Sequence, residues 1–281
     1  MSVSMQGKIV LVTGATAGIG LATARELARK GAQVTLVGRN PARLAAVIAQ
    51  ISSQTGNPHL ESISADLSTR AGVQLVAHEF KKRHTCLDVL INNAGAFFNS
   101  RQLSVDGLEM TFALNHLNYF HLTNLLLDVL QASSPARIVN VASDAHRGQT
   151  LDFGNLQLEK GYSGRLAYGR SKLMNVLFTY ELARRLEGRG VTANALHPGF
   201  VATQMGMNNG RLMQLVMKLV APLARSPEEG ASTSLYLAVS QEVEGVSGRY
   251  YVDKYPVQSD PASYDLAAAQ KLWDASLELM A

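Results

Sequence analysis

Short apolar runs alternate with longer helical segments through roughly the first 200 residues of this chain, and this alternation constrains the fold most strongly. The runs predicted as strands are KIVLVT, AQVTLVGR, LESISADL, LDVLINNAG, RIVNVAS and VTANALHPG, which begin at residues 8, 32, 60, 87, 137 and 191. The intervening segments repeat apolar residues at the spacing of amphipathic helices, and the longest runs from about Val105 to Gln131. Apolar strands that alternate with helices form a parallel sheet with helices on both faces.

The pattern therefore predicts an α/β fold, a single-domain doubly wound parallel sheet of the Rossmann type with helices on both faces. No internal repeat, low-complexity linker or shift in composition divides residues 1–281, so one domain is expected. The stretch SGRYYVDKYPV and a helix near Pro261 to Met280 complete it. The segment from Phe200 to Arg225 departs from the alternation, because it carries four methionines between polar and glycine residues. It is interpreted either as a substrate lid or as a surface helix whose methionines pack on the core.

Composition and charge exclude several classes of protein. Charged residues make up 17% of the chain and the formal net charge is +4, so no nucleic-acid partner is expected. The basic cluster KKRH, from Lys81 to His84, is interpreted as the solvated end of a helix. The one cysteine, Cys86, excludes an intrachain disulfide and is typical of a reducing compartment. Because no signal-like start and no apolar run of membrane-spanning length is found, a cytoplasmic protein without a transmembrane anchor is expected.

Three glycines, Gly14, Gly18 and Gly20, lie in the turn TGATAGIG between the first predicted strand and the first predicted helix. Glycine permits a tight turn and a close approach of phosphate, and the N-terminus of the following helix attracts anions. Ligands of a parallel sheet bind beyond the carboxyl ends of its strands, where this turn is expected. The spacing GxxxGxG differs from GxGxxG, and no Gly-Lys-Ser/Thr follows as in a P-loop. Taken alone, the turn leaves a glycine-rich loop without a ligand as an alternative.

The second predicted strand ends in VGRN, which places Arg39 where the adenosine ribose of a dinucleotide would lie. A carboxylate at this point binds a free 2′-hydroxyl, whereas a cation binds a 2′-phosphate. Arginine offers bidentate hydrogen bonds to phosphate. Because no acid stands beside Arg39, the sequence predicts NADP(H) as the cofactor. An ordinary surface arginine at a strand end is the alternative.

Tyr168 and Lys172 stand four residues apart in the helical segment AYGRSK and should share one helix face. An ammonium beside a phenol favours the phenolate, so Lys172 is expected to lower the Tyr168 pKa from about 10 and to permit proton transfer. Ser143 ends the fifth predicted strand. Asn115 lies between apolar residues of a helix, where its amide needs a partner. Separately, each of these signals also fits a purely structural residue.

Together these motifs resemble the short-chain dehydrogenase/reductase family over essentially the whole chain. The matching segments are the TGxxxGxG turn at residues 13–20, the adenine-contacting pair Asp66 and Leu67, NNAG at residues 92–95, and PGxxxT at residues 198–203. The family's catalytic tetrad is matched by Asn115, Ser143, Tyr168 and Lys172. Within the family, the later half is most similar to the retinol dehydrogenase group, as in LAYGRSKLMNVLFTYELARRL and AQKLWDASLEL.

The resemblance implies roles for these residues. Ser143 hydrogen bonds to the substrate oxygen and Tyr168 transfers the proton, while Lys172 lowers the Tyr168 pKa and binds the nicotinamide ribose. Asn115 supports a proton-relay water, and the hydride comes from the cofactor. The residues implied to bind NADP(H) are Gly14, Thr16, Ala17, Gly18, Ile19, Gly20, Arg39, Asp66, Leu67, Asn93, Ala94, Gly95, Tyr168, Lys172, Pro198, Gly199, Val201 and Thr203.

The activity implied by the resemblance is the interconversion of a carbonyl compound, a lipophilic and retinal-like aldehyde or ketone, and its alcohol. A dehydrogenase of secondary or steroid-like alcohols and an NADP(H) redox sensor without turnover are the alternatives. The expected partner is a small-molecule substrate, and a homodimer or homotetramer is left open. His197 is interpreted as structural, and His116 and His121 lack the paired spacing of metal ligands, so no metal is assigned.

Overall fold

A computed structural model describes residues 4–201 and 224–280; residues 1–3, 202–223 and 281 lie outside the described residues. In the described part, eight strands form one sheet in the order β3-β2-β1-β4-β5-β6-β7-β8. Strands β1 to β7 are parallel, and β8 runs antiparallel to β7. The strands are β1 Ile9–Thr13, β2 Gln33–Gly38, β3 Leu60–Ser64, β4 Val89–Asn92, β5 Ala136–Val141, β6 Val191–His197, β7 Tyr250–Val252 and β8 Tyr255–Val257.

Helices cover both faces of this sheet. One face carries α1, α2 and α8, where Leu27 and Leu237 join one buried apolar cluster. The other carries α3, α5 and α7, where Phe80 and Phe178 join a second cluster. The predicted doubly wound parallel sheet is therefore confirmed. In chain order the helices are α1 Gly18–Arg29, α2 Pro41–Thr55, α3 Arg70–Arg83, α4 Met110–Phe112, α5 Asn118–Leu125, α6 Leu127–Ala132, α7 Gly164–Arg185, α8 Pro227–Val239 and α9 Leu266–Met280.

The strand order reverses at β1, and this reversal locates the crevice of the fold. The chain moves outward from β1 to β3 and then returns to β4 on the other side of β1. In open α/β sheets, ligands bind outside the carboxyl ends of the strands at such a reversal. Thr13 and Asn92 end β1 and β4, so the glycine turn and the segment after Asn92 meet at this edge.

Local capping signals set several helix ends. Asn40 caps α2, because its Oδ1 accepts a hydrogen bond from the main-chain N–H of Arg43 at 3.0 Å. This cap is the one that the sequence predicts. Helix α8 begins with a capping box in which Ser226 and Glu229 each bind the other's main-chain N–H. Helix α8 is not among the helices predicted from the sequence, although Ser-Pro-Glu-Glu is a helix start signal.

The long helix predicted from Val105 to Gln131 is wrong in its start and its continuity. It begins at Met110, because the carboxylate of Glu109 accepts hydrogen bonds from two main-chain N–H groups of the first turn. A π-helical turn, Ala113–Leu117, follows α4 directly. The helix is then interrupted between α5 and α6 at Leu126, whose φ and ψ are −104° and 4°.

The C-terminal helix starts later than predicted. Pro261–Tyr264 forms a short 3-10 turn, and α9 begins at Leu266. The predicted lid at about 200–225 falls mainly on residues 202–223, which lie outside the described residues. Its described ends meet, because the main-chain N–H of Arg225 donates to the oxygen of Phe200 at 2.8 Å.

Strand β8 forms one edge of the sheet. The two-residue turn Asp253 and Lys254 joins it to β7, with φ angles of 50° and 70°. Pro256 stands opposite Tyr251 in the ladder. Proline is found in sheets at edge strands, because it cannot donate a ladder hydrogen bond.

Candidate active site

The turn between β1 and α1 is packed so closely that two of its glycines have no room for a side chain. Gly14 has a φ of 66°, a left-handed conformation that favours glycine. A Cβ atom at Gly20 would lie 2.3 Å from the main-chain oxygen of Gly14 and 2.5 Å from Nδ2 of Asn93. The N-terminus of α1 therefore packs directly against the turn and against the segment after β4.

Thr13 and Asn93 tie these two segments together. Thr13 Oγ1 accepts hydrogen bonds from the main-chain N–H groups of Asn93 at 2.9 Å and Ala94 at 3.0 Å, and donates to the oxygen of Ile91. Asn93 Nδ2 donates to the main-chain oxygen of Thr13 at 2.9 Å. Thr13 opens the glycine motif but is not among the site residues predicted from the sequence.

A cleft of about 320 Å³ runs along this edge of the sheet. Its glycine-lined wall, which lacks Cβ atoms, and the N-terminus of α1 suit the phosphates of a dinucleotide. Arg39 and Arg43 line its outer end, and no carboxylate does so among the described residues. Arg43, which lies in the first turn of α2 four residues after Arg39, was not predicted from the sequence. The predicted cofactor residues that line the cleft are Gly14, Thr16, Ala17, Gly18, Ile19, Gly20, Arg39, Leu67, Asn93, Ala94 and Gly95.

Other predicted cofactor residues lie around this cleft. Asp66 is not among the lining residues, and its Oδ1 accepts hydrogen bonds from the main-chain N–H and the hydroxyl of Ser68 at 3.0 and 2.8 Å. Val201 packs with Ile19 in a small buried apolar cluster, which brings the segment after β6 beside the glycine turn. Pro198 and Gly199 lead into Val201, and Thr203 lies outside the described residues.

Asn115 lies in the π-helical turn and is completely buried. Its Oδ1 accepts a hydrogen bond from the N–H of Ala96 at 2.8 Å, and its Nδ2 donates to the oxygen of Ala96 at 2.9 Å and to Ser171 Oγ at 3.2 Å. Its main-chain oxygen accepts a hydrogen bond from Asn175 Nδ2 at 2.9 Å. Asn115 thus joins the segment after β4 to helix α7, and π turns of this kind are frequent at functional sites.

Ser143, Tyr168 and Lys172 converge where β5 ends against α7. Lys172 is only 2% exposed; its Nζ donates to the main-chain oxygen of Val141 at 3.0 Å and lies 5.5 Å from the centre of the Tyr168 ring. Ser143 hydrogen bonds to the phenol of Tyr168. A Cβ atom at Gly95 would lie 3.7 Å from Lys172 Nζ. The cluster therefore adjoins the end of the cleft.

Burial sets the protonation states of Tyr168 and Lys172. It raises the pKa of Tyr168 to about 12, although the hydrogen bond from Ser143 opposes the rise. It also lowers the pKa of Lys172 to about 7. The expected lowering of the Tyr168 pKa by Lys172 is therefore not found in the chain alone, because burial disfavours the ammonium as well as the phenolate. At neutral pH the phenol keeps its proton.

His197, at the end of β6, has the contacts of a structural residue. Its Nδ1 accepts a hydrogen bond from the main-chain N–H of Asp144 at 3.3 Å. Burial lowers its pKa, and the nearby Asp144 carboxylate opposes that shift. These contacts fit the interpretation drawn from the sequence.

A second cavity is larger but lies away from the motifs. Its volume is about 760 Å³. It is lined by Ala136 and Val191, which begin β5 and β6, and by Tyr264 from the C-terminal part of the chain. Of the predicted site residues that lie in the described part of the chain, none lines this cavity. Among the residues that the structure describes, no group of three or more His, Cys, Asp or Glu side chains could hold a metal ion.

Comparison with known proteins agrees with this geometry. Residues 8–213 match the family model of the short chain dehydrogenases. Human retinol dehydrogenase 14 is 43% identical over 288 residues, covering 97% of this chain and 86% of that protein. Mouse retinol dehydrogenase 12 is 40% identical over 279 residues, covering 99% of this chain and 88% of that protein.

Solved structures give the same result. An uncharacterized protein from Mycobacterium paratuberculosis superposes with a TM-score of 0.80 at 32% identity, covering 99% of this chain and 94% of that chain. The RhlG/NADP active-site complex of Pseudomonas aeruginosa superposes with a TM-score of 0.70 at 28% identity, covering 88% and 94%.

The strand order is that of a doubly wound Rossmann-type sheet, and the family match together with the relatives named retinol dehydrogenases identifies an oxidoreductase that acts on CH–OH groups. The chain belongs to the short-chain dehydrogenase family, whose members use NAD(P)(H). No helix in residues 4–201 or 224–280 combines the length and the apolar character needed to span a bilayer.

Proposed function

We propose that the protein is an NADP(H)-dependent oxidoreductase that interconverts a lipophilic, retinal-like aldehyde or ketone and its alcohol. The convergence of Ser143, Tyr168 and Lys172 beside Gly95, at one end of the cleft, carries this proposal. The relatives named retinol dehydrogenases support the substrate class. Residues 1–281 are proposed to work as one dinucleotide-binding oxidoreductase domain, which the continuous sheet supports.

The preference for NADP(H) is supported by the outer end of the cleft. Arg39 and Arg43 both line the cleft, and no carboxylate is found among its described lining residues. Guanidinium groups bind phosphate by charge-assisted hydrogen bonds, whereas a free ribose hydroxyl needs an acceptor. The solved neighbour named as an NADP complex is consistent with this preference. The backbone of residues 14–20 and 93–95, with Pro198, Gly199, Val201 and Thr203, would hold the rest of the cofactor, which supplies the hydride.

Tyr168 is the proposed proton donor in the reducing direction. Its raised pKa keeps the phenol protonated at neutral pH, and a substrate oxygen that gains negative charge is a strong acceptor for that proton. Ser143 hydrogen bonds to the same phenol, so both hydroxyls can hold one substrate oxygen. Lys172 would bind the nicotinamide ribose. Asn115 would support a proton-relay water beside the segment that its amide anchors.

The surroundings of Tyr168 support an apolar substrate. The ring of Phe97 packs edge-on against the Tyr168 ring at 5.9 Å between centres. Aromatic side chains beside a few polar groups are typical of small-molecule sites.

A screen of NADPH oxidation against aldehydes and ketones of graded chain length tests the proposal. Tyr168→Phe should lower turnover at least ~100-fold, as expected for removal of a general acid, and should leave NADPH affinity unchanged in a fluorescence titration. Tyr236→Phe on α8 removes a phenol hydroxyl elsewhere and is the matched control, with unchanged turnover. A panel in which no carbonyl compound oxidises NADPH, or a fully active Tyr168→Phe, would contradict the proposal.

A further inference from the structure

Ser143 precedes a short 3-10 turn, Asp144–His146, and the two together are called the Ser143 turn. His146 joins this turn to the C-terminal part of the chain. The side chain is completely buried, and its two ring nitrogens have different partners. Nδ1 lies 2.6 Å from the main-chain oxygen of Ser143, and Nε2 lies 3.0 Å from the main-chain nitrogen of Asp260. A carbonyl oxygen only accepts and an N–H group only donates, so His146 must be the neutral tautomer that carries its proton on Nδ1.

Residues 258–264, called the C-terminal brace, accept hydrogen bonds from the two residues that follow the Ser143 turn. Arg147 Nη2 donates to the main-chain oxygen of Gln258 at 2.9 Å, and the N–H of Gly148 donates to Asp260 Oδ2 at 2.8 Å. The imidazole of His146 is also packed edge-on against the Tyr250 ring at 4.9 Å between centres. The ring of His146 is thus fixed in position by several contacts.

The same brace is bonded to helix α7, which carries Tyr168 and Lys172. Tyr180 of α7 places its hydroxyl 2.7 Å from Ser259 Oγ, and its ring stacks on Tyr264 at 5.3 Å between centres. The brace therefore connects the turn that carries Ser143 with the helix that carries its partners.

We infer that His146 is a positioning residue for Ser143, held in place by the C-terminal brace. The inference rests on the proposed function, because it gives the Ser143 hydroxyl a part in the reaction. Both N–H groups of His146 converge on the Ser143 oxygen, the ring N–H at 2.6 Å and the main-chain N–H at 3.1 Å. Fixing that oxygen fixes the main chain of Ser143 and hence the direction of its hydroxyl toward Tyr168. His146 itself makes no contact with Tyr168 or Lys172 among the interactions described.

Two substitutions distinguish between the two hydrogen bonds that the His146 ring makes. In His146→Asn, the amide nitrogen reaches about the position of Nδ1, so the bond to Ser143 is kept and the bond to Asp260 is lost. In His146→Gln, the amide reaches about the position of Nε2, so the bond to Asp260 is kept and the bond to Ser143 is lost. Each variant loses one hydrogen bond, which makes each the control for the other.

We expect kcat for NADPH-dependent carbonyl reduction to fall about tenfold or more in His146→Gln and less than about threefold in His146→Asn. The reason is that a small misplacement of a positioned group can lower the reaction rate by up to ~100-fold. The Kd for NADPH should stay within about twofold in both, because neither bond touches the cleft. Equal losses of kcat in the two variants would overturn the inference, because the ring would then only fill space.

Hydrogen exchange gives a readout that does not depend on turnover. The main-chain amides of residues 144–147 should exchange faster in His146→Gln than in the parent protein, and at the parent rate in His146→Asn. Equal exchange in the two variants would also overturn the inference. If the parent protein reduces no carbonyl compound, the proposed function is wrong. The exchange measurement then still shows whether His146 holds the Ser143 turn in place.

Discussion

Removal of the amine of Lys172 should change how the stability of the protein depends on pH. Burial lowers the Lys172 pKa from 10.5 to about 7 in the folded chain, whereas in the unfolded chain the amine keeps its ordinary pKa. Between these two values the unfolded state binds one proton more than the folded state. The free energy of unfolding must therefore rise with pH in this window and fall as pH decreases toward 7.

The size of the effect follows from the two pKa values. A full proton of difference changes the free energy of unfolding by about 1.4 kcal/mol per pH unit. Lys172 is about half protonated at pH 7 in the folded state, so the gain from about pH 7 to about pH 9 is roughly 2 kcal/mol. For a chain of this size, that corresponds to a rise of roughly 3–4 °C in Tm.

Lys172→Met is the appropriate comparison, because methionine fills a similar space and does not titrate. Groups that lie away from Lys172 titrate alike in both proteins, so the difference between the two stability curves reports mainly on Lys172. Urea unfolding at about pH 7, 8 and 9 measures it, and the parent protein should gain roughly 2 kcal/mol relative to the variant over this range. Parallel curves for the two proteins would refute the reasoning, since Lys172 would then be charged in the folded protein throughout.

Three further outcomes are expected. Gly20→Ala should destabilise the protein by about 3 kcal/mol or prevent folding, because its Cβ would clash with the main chain of the glycine turn. The control is Gly154→Ala, whose Cβ would meet only one side chain, at 3.4 Å. This variant should be nearly neutral in urea unfolding. Arg39→Ala should raise the Kd for NADPH about tenfold or more and leave the Kd for NADH unchanged in titrations of both cofactors. Glu228→Gln should lower the free energy of unfolding by less than about 1 kcal/mol in the same assay. The reason is that the Glu228 side chain, which pairs with Arg25, is largely exposed to solvent.

Much of the fold could be predicted from local sequence. Central strands of the sheet such as β1 and β4 are apolar runs. The start of α2 follows from Asn40 and Pro41, which act within one helical turn. The glycine turn and the Tyr168–Lys172 spacing are also local patterns. These patterns predict the candidate site residues, and the structure places Tyr168, Lys172 and Ser143 together.

Features that depend on distant parts of the chain could not be predicted in this way. The π-helical turn carries the side chain of Asn115, whose partners Ala96 and Ser171 are remote in sequence. The pKa of Tyr168 is set by burial rather than by its neighbour four residues away. His146 had no signal of its own, because its importance rests on a contact with Asp260.

The edge strand β8 also determines where the sheet stops. Because a two-residue turn makes Val252 and Tyr255 a hydrogen-bonded pair, the main-chain groups of the next pair, Tyr251 and Pro256, point away from each other. At this outward position Pro256 has no N–H group. A strand from another chain would therefore find no donor at the centre of this edge. Growth of the sheet by strand addition, which begins many protein aggregates, is opposed here by one residue.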